Sequence, residues 1–133
     1  PPTQRQPLPK GQRVVPAGIE IIAPKNLSLF DKKSFEGTVK FASEIAETWR
    51  KHRRQILLDF SQTESFTAPA QLFLHSKVSV LRRMTSNPGV VTRLRRNTEM
   101  DKILDQTGFL RRGDEPADIE NSVPGLLPVT SNT

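Results

Sequence analysis

The segment Ile56-Leu57-Leu58-Asp59-Phe60 constrains this chain more than any other. Its apolarity runs on instead of alternating, the pattern of a strand buried on both faces. Such a strand lies inside a sheet covered by other elements. In open α/β folds, binding and chemistry gather at the carboxyl end of strands of this kind. Here that end is followed by a polar turn, Ser61 to Glu64, and then by Thr67-Ala68-Pro69. Proline suits the first turn of a helix, because the N–H it lacks would have no helical partner there.

The flanking sequence supplies elements to cover such a strand. Gly18-Ile19-Glu20-Ile21-Ile22 reads as a first strand, Pro24-Lys25-Asn26 as a turn and Leu27-Ser28-Leu29-Phe30 as a second strand. Together they predict an antiparallel ribbon. Phe35, Val39, Ala42, Ile45, Ala46 and Trp49 recur at helical spacing, with Phe41 widening the stripe and Asp31 or Ser34 available as a cap. That helix closes on Arg50, Lys51, His52, Arg53 and Arg54, cations suited to the carbonyl end of the dipole.

Beyond Pro69, Leu74, Val78 and Leu81 mark one face of a second helix, broadened by Phe73, Val80 and Met84, and Ser86-Asn87-Pro88-Gly89 ends it. Residues 90–95 predict a half-exposed edge strand, with Val90 and Leu94 facing one way and Arg93 and Arg95 the other. Thr98-Glu99-Met100-Asp101 resembles a capping box opening a short helix whose inward face is Met100, Ile103 and Leu104. Gly108 can take the left-handed position just past its end, with Phe109 folding back. The order β-β-α-β-α-β-α predicts an α/β fold, a mixed β-sheet covered by helices.

Three stretches are expected. Residues 1–17, rich in proline, read as extended or disordered; 18–110 as the globular domain; 111–133 as a linker or tail. In the last, Asp114, Glu115, Asp118 and Glu120 precede Leu126, Leu127 and Val129, which could dock as a short strand. A chain that begins at Pro1 reads as an excised segment or a processed product.

Composition excludes several chemistries. The 133 residues include no Cys, so disulfides, thiolate catalysis and cysteine-ligated zinc are ruled out, and a reducing, cytoplasmic setting fits. Two histidines would need carboxylates to complete any metal site, and no metal or cofactor is expected. No apolar stretch approaches the ~18 residues of a membrane span. The net charge of +6 favours an acidic partner, whether protein or nucleic acid, although the absence of Tyr weakens a base-stacking mode.

Two segments carry a family resemblance. Ile56-Leu57-Leu58-Asp59-Phe60-Ser61 resembles the "V-L-D-L-S" strand of the STAS domain, the family that includes the anti-sigma factor antagonists. Met100 to Phe109 resembles its closing helix ending in Gly-Phe. The resemblance covers roughly residues 18–110. It implies a bacterial regulatory module without catalysis, binding a protein partner of the anti-sigma or serine-kinase type, a histidine-kinase-like ATPase acting in cis or in trans. The family's phosphorylated serine lies in an Asp-Ser-Ser-Gly motif, and Thr67-Ala68-Pro69-Ala70 stands over it. Ala68 occupies the acceptor position and has no hydroxyl, so the usual serine switch is not expected.

The candidate partner surface is therefore Ser61, Gln62, Glu64, Ser65, Thr67, Ala68 and Gln71, with the exposed flank of the helix from 69 to 84. Thr67 reads first as a helix N-cap. Thr67 and Ser65 are the candidate phosphosites. Asp59 reads as a hydrogen-bonded carboxylate beside the turn, and His75 as structural or exposed. No nucleophile elbow or glycine-rich phosphate loop is present, so no catalytic residue is assigned. The alternative is a basic nucleic-acid-associated module contacting phosphates through Lys51, Arg53, Arg54, Arg93 and Arg95, with solvated helix ends as the plainer account of those charges.

Overall fold

The computed structural model describes Leu8 and residues 10–110. The strand pattern around 56–60 is met: β4 (Ile56–Asp59) is buried along its whole length and lies inside a four-stranded sheet. Its neighbours are β2 (Gly18–Ile22) and β6 (Val91–Arg93), both parallel to it, and β1 (Gln12–Val15) runs antiparallel at the outer edge of β2. Register pairs Ile21 with Leu58 and Ile56 with Val91. The protein is thus α/β, with a mixed sheet and, among the described residues, three helices.

Two strand expectations are corrected. The folded part starts before residue 18, because Gln12–Val15 turns back onto β2 and gives it a second partner. The antiparallel ribbon of 18–22 with 27–30 does not form. Pro24 and Lys25 carry the chain onward, and β3 (Asn26–Leu27) pairs in parallel with β5 (Ser65–Phe66) as a small second sheet. The Lys25 carbonyl accepts both the Glu64 and the Ser65 N–H, and Thr67 N–H donates to the Leu27 carbonyl. The stretch after β2 thus runs beside the stretch after β4, which fixes the carboxyl end of the sheet.

Helix α1 (Lys32–His52) is capped by Asp31, whose side chain accepts the Ser34 N–H at 3.0 Å. Its buried face is Thr38, Phe41, Ala42, Ile45 and Thr48, rotated from the expected stripe; Phe35 is exposed. The threonines enter the core because their hydroxyls are satisfied. Thr38 Oγ1 donates to the Ser34 carbonyl at 2.8 Å and accepts the Ser28 N–H at 3.1 Å. Helix α2 (Ala68–Thr85) buries Leu74, Val78 and Leu81 as expected, while Val80 and Met84 stay in solvent. Helix α3 (Thr98–Thr107) is capped by Asn97 and not by Thr98, and Ile103 is exposed. Gly108 closes it with φ 75° and donates to the Leu104 carbonyl.

One sheet face, formed by Ile19, Ile21, Ile56, Leu58 and Val91, joins Phe41 and Ile45 of α1, Leu74 and Val78 of α2 and Leu104 of α3 in a single core. Phe60, just past β4, contacts the rings of Phe41, Phe66 and Phe109 at centroid distances of 6.3, 5.6 and 6.0 Å. This aromatic group anchors the turn that begins at Ser61. The expected tail of 111–133 lies outside the described residues.

Candidate functional site

The turn after β4 is held from three directions. Asp59 Oδ1 accepts the Ser61 N–H at 2.8 Å. Thr63, buried, donates its N–H to the Phe60 carbonyl and its hydroxyl to the Pro24 carbonyl at 2.9 Å. Asn97 Nδ2 donates to the carbonyls of Phe60 and Thr63 at 3.1 and 3.2 Å, while its Oδ1 caps α3 through the Met100 N–H. One asparagine thus ties the turn to the start of α3.

Between them opens a cleft of 500 Å³ lined by Lys25, Ser61, Gln62, Glu64, Asn97, Glu99 and Ile103, with Thr63 and Met100 at its base. Ser61, Gln62 and Glu64 are exposed, and Glu64 faces Lys25 at 3.8 Å. The cleft is about as apolar as it is polar, mixed in charge and built on a hydrogen-bonded turn.

The remaining expected contact residues part company with these three. Ser65 sits on β5 with its hydroxyl donating to Asn26 Oδ1 at 2.8 Å. Ala68 and Gln71 are buried and cannot form part of a free surface. Gln71 instead joins elements: its Nε2 donates to the Phe66 carbonyl at 3.1 Å, and its Oε1 accepts the Thr107 hydroxyl at 2.7 Å. Thr67 occupies the N-cap position of α2 but makes no side-chain capping bond; its Oγ1 is buried without a partner. Of the two candidate hydroxyls, Ser65 is therefore the reachable one.

Beneath the cleft lies a charged cluster that the sequence reading did not single out. Glu20 on β2 and Asp59 on β4 are both buried, and Arg96 bridges them. Arg96 Nη2 donates to Glu20 Oε2 at 3.1 Å, and Arg13 Nε reaches Glu20 Oε1 at 3.1 Å from outside. The Arg96 hydrogen bond holds the Glu20 carboxyl below the usual range against the opposing effect of burial. At Asp59 burial pushes upward, but the Ser61 N–H and Arg96 outweigh it. Both carboxylates are thus gripped by one arginine, and Asp59 also accepts the Ser61 N–H. The signal that could have revealed the cluster is Glu20 itself, a charge inside the apolar run Gly18–Ile22 that demands a cationic partner.

The basic residues do not form one face. Arg93, expected on a half-exposed flank, has a side chain only 10% exposed and binds Asp101 at 3.1 Å and Asp105. Arg95 grips Asp105 through both carboxylate oxygens at 2.9 and 2.7 Å, and that carboxyl lies far below its ordinary range, first because of the Arg95 hydrogen bond, with burial opposing it and Arg93 adding to it. At the far end of α1, Arg53 stacks over Trp49, Arg54 donates to the Val15 and Pro16 carbonyls, and Lys51 faces Glu47. His75 is partly buried beside Phe109; desolvation, then Arg82, lowers its pKa.

Among the described residues no group of three metal-ligating side chains comes together, and no helix is long and apolar enough to cross a membrane. Compared with known proteins, the chain matches no family model, no curated protein and no solved structure. The resemblance to STAS domains thus rests on the two sequence motifs and the succession of elements.

Proposed function

We propose that this chain is a non-catalytic, STAS-like regulatory module of a bacterial cytoplasm that binds a protein partner through the cleft at the carboxyl end of its sheet. The observation that carries this reading is the exposure of Ser61, Gln62 and Glu64 on a turn fixed by Asp59, Thr63 and Asn97. Side chains presented on a rigid support lose less entropy on binding than side chains on a mobile loop. The partner class is the one the family resemblance implies, an ATPase of the serine-kinase or anti-sigma type. Ala68 at the acceptor position makes binding independent of the usual serine switch.

The test is binding to purified ATPases of that class, with Gln62→Arg and Glu64→Lys as surface variants. Loss of binding with an unchanged unfolding midpoint is expected. Binding that survives both variants, or robust phosphate incorporation confined to a site far from residues 61–65, would refute the reading. In the nucleic-acid alternative Arg93 and Arg95 already share Asp105, which leaves the cluster of Lys51, Arg53 and Arg54 to meet phosphates.

A further inference from the structure

An open apolar groove of 620 Å³ runs between α1 and α2. Its walls carry side chains that the core leaves in solvent: Val80 is 43% exposed and Met84 71%. Trp49 and Phe73, partly buried, form the two sides. Each ring carries a cation, Arg53 over Trp49 at 4.4 Å and Lys77 over Phe73 at 5.4 Å. Among the described residues, neither cation is held in an ion pair.

The described chain ends on the far flank of α2, the helix that forms one wall of this groove. Arg82 donates to the Leu110 carbonyl at 3.3 Å, and the Leu110 N–H reaches His75 Nδ1 at 3.5 Å. His75 and Arg82 share one flank of α2, whereas Phe73, Lys77, Val80 and Met84 lie on the other by helical period. Exposed Arg83 stands between the two flanks. The sequence that follows matches this path in order. Residues 114–120 hold Asp114, Glu115, Asp118 and Glu120 with no cation, and residues 123–129 hold Val123, Leu126, Leu127 and Val129. Reach is ample. Ten extended residues span up to ~33 Å, and the helix to be crossed is about 10–12 Å across with its side chains. Pro124 and Pro128 remove backbone donors, which disfavours a strand inside a sheet and suits a segment held by its side chains.

We propose that the apolar stretch 123–129 of this same chain occupies the groove between α1 and α2, with the acidic stretch 114–120 crossing α2 over Arg83 and Lys77. The segment covers apolar surface that would otherwise face water, and its carboxylates meet the cations at the rim. This inference concerns a face other than the cleft at the end of β4, and neither proposal depends on the other.

The chain has no cysteine, so Thr130→Cys in the full chain accepts a single nitroxide label beside the apolar stretch. Met84 reports on the groove through its methyl NMR signal. Loss of that signal is expected when label and isotope are on the same chain, and its retention when they are on different chains in a mixture. Retention in the doubly labelled chain overturns the proposal. Equal loss in the mixture also overturns it, by assigning the groove to a second copy. Independently, Leu126→Asp with Leu127→Asp is expected to raise iodide quenching of Trp49, the single tryptophan. Quenching equal to that of the parent chain overturns the proposal as well.

Discussion

Arg96 Nη1 donates at once to carboxylates on two neighbouring parallel strands, Glu20 Oε1 at 3.2 Å and Asp59 Oδ2 at 3.1 Å. The two acids are buried, and each needs this cation more than the cation needs either of them. Removing Arg96 leaves Asp59 with the Ser61 N–H and leaves Glu20 with Arg13, whose side chain is 67% exposed. Arg96→Met is therefore expected to lower the unfolding free energy by about 1–3 kcal/mol, the scale of a buried polar group losing its partner. The same change in a Glu20→Gln, Asp59→Asn background should cost less, because the charges that required Arg96 are gone. Urea unfolding of the four proteins measures the coupling.

The titrating groups give a pH profile with two descents. His75 binds a proton less readily in the folded protein, chiefly through desolvation. Its contribution is thus complete above its unfolded value near 6.5 and falls away as pH drops through the lower folded value. Glu20 and Asp59 also have lowered folded values, from 4.5 and 3.8. Their contribution is present above those unfolded values and disappears at more acid pH. Glu44, raised by burial, acts in the opposite direction. The thermal midpoint is expected to decline first below about pH 6.5 and again below about pH 4. His75→Gln should remove the first decline and keep the second.

Sequence periodicity revealed the elements whose burial is apolar, and it failed where polar residues enter the interior. Ile56–Asp59, the Pro69 helix start and Gly108 announced themselves through continuous apolarity, a missing donor and a left-handed closure. Spacing alone does not give the buried face of α1, because Thr38 and Thr48 look like surface residues until their partners, Ser28 and Gln12, are known. The cleft was legible at Ser61, Gln62 and Glu64, which are local to the strand end. Asn97 and Arg96 arrive from more than thirty residues away in sequence, and no local spacing announces them. Ala68 and Gln71 adjoin exposed positions in the sequence, but helix geometry turns both inward.

Gly18 opens β2 with φ 156°, directly against the strand that follows α1. A Cβ there would lie 2.2 Å from the backbone oxygen of Gln55, far inside van der Waals contact. That oxygen also accepts the Ile19 N–H at 2.9 Å, so neither strand can yield without losing a ladder bond. Gly18→Ala is expected to destabilise by about 1–3 kcal/mol, the range of overpacked sites. A lowered thermal midpoint with unchanged far-UV circular dichroism checks it.

Gln71 links three elements from inside the core, accepting from Thr107 on α3 and donating to the Phe66 carbonyl on β5. Gln71→Ala strands that carbonyl and opens a cavity, a loss on the order of 2–4 kcal/mol. Thr107→Val should cost less, because only Gln71 Oε1 loses its donor, while the Leu104 carbonyl keeps the Gly108 N–H. Both changes lie away from the exposed residues of the cleft. Stability measured by denaturant unfolding is expected to fall, while partner affinity of the folded fraction stays at the parent value.

Thr67 and Ser65 separate by burial, and that difference is testable with two substitutions. The Thr67 hydroxyl is buried, has no partner and caps nothing. Thr67→Val keeps the shape and removes an unsatisfied group, so stability is expected to hold or to rise by up to about 1 kcal/mol. An ordinary N-cap threonine would behave oppositely, losing ~1 kcal/mol on the same change. Ser65, at the surface with its hydroxyl on Asn26, presents an oxygen that a kinase can reach. With a serine/threonine kinase that labels residues 61–67, phosphate uptake is expected to vanish in Ser65→Ala and to persist in Thr67→Val. The reverse pattern, read by intact-mass spectrometry, would mean that the start of α2 opens to admit the enzyme.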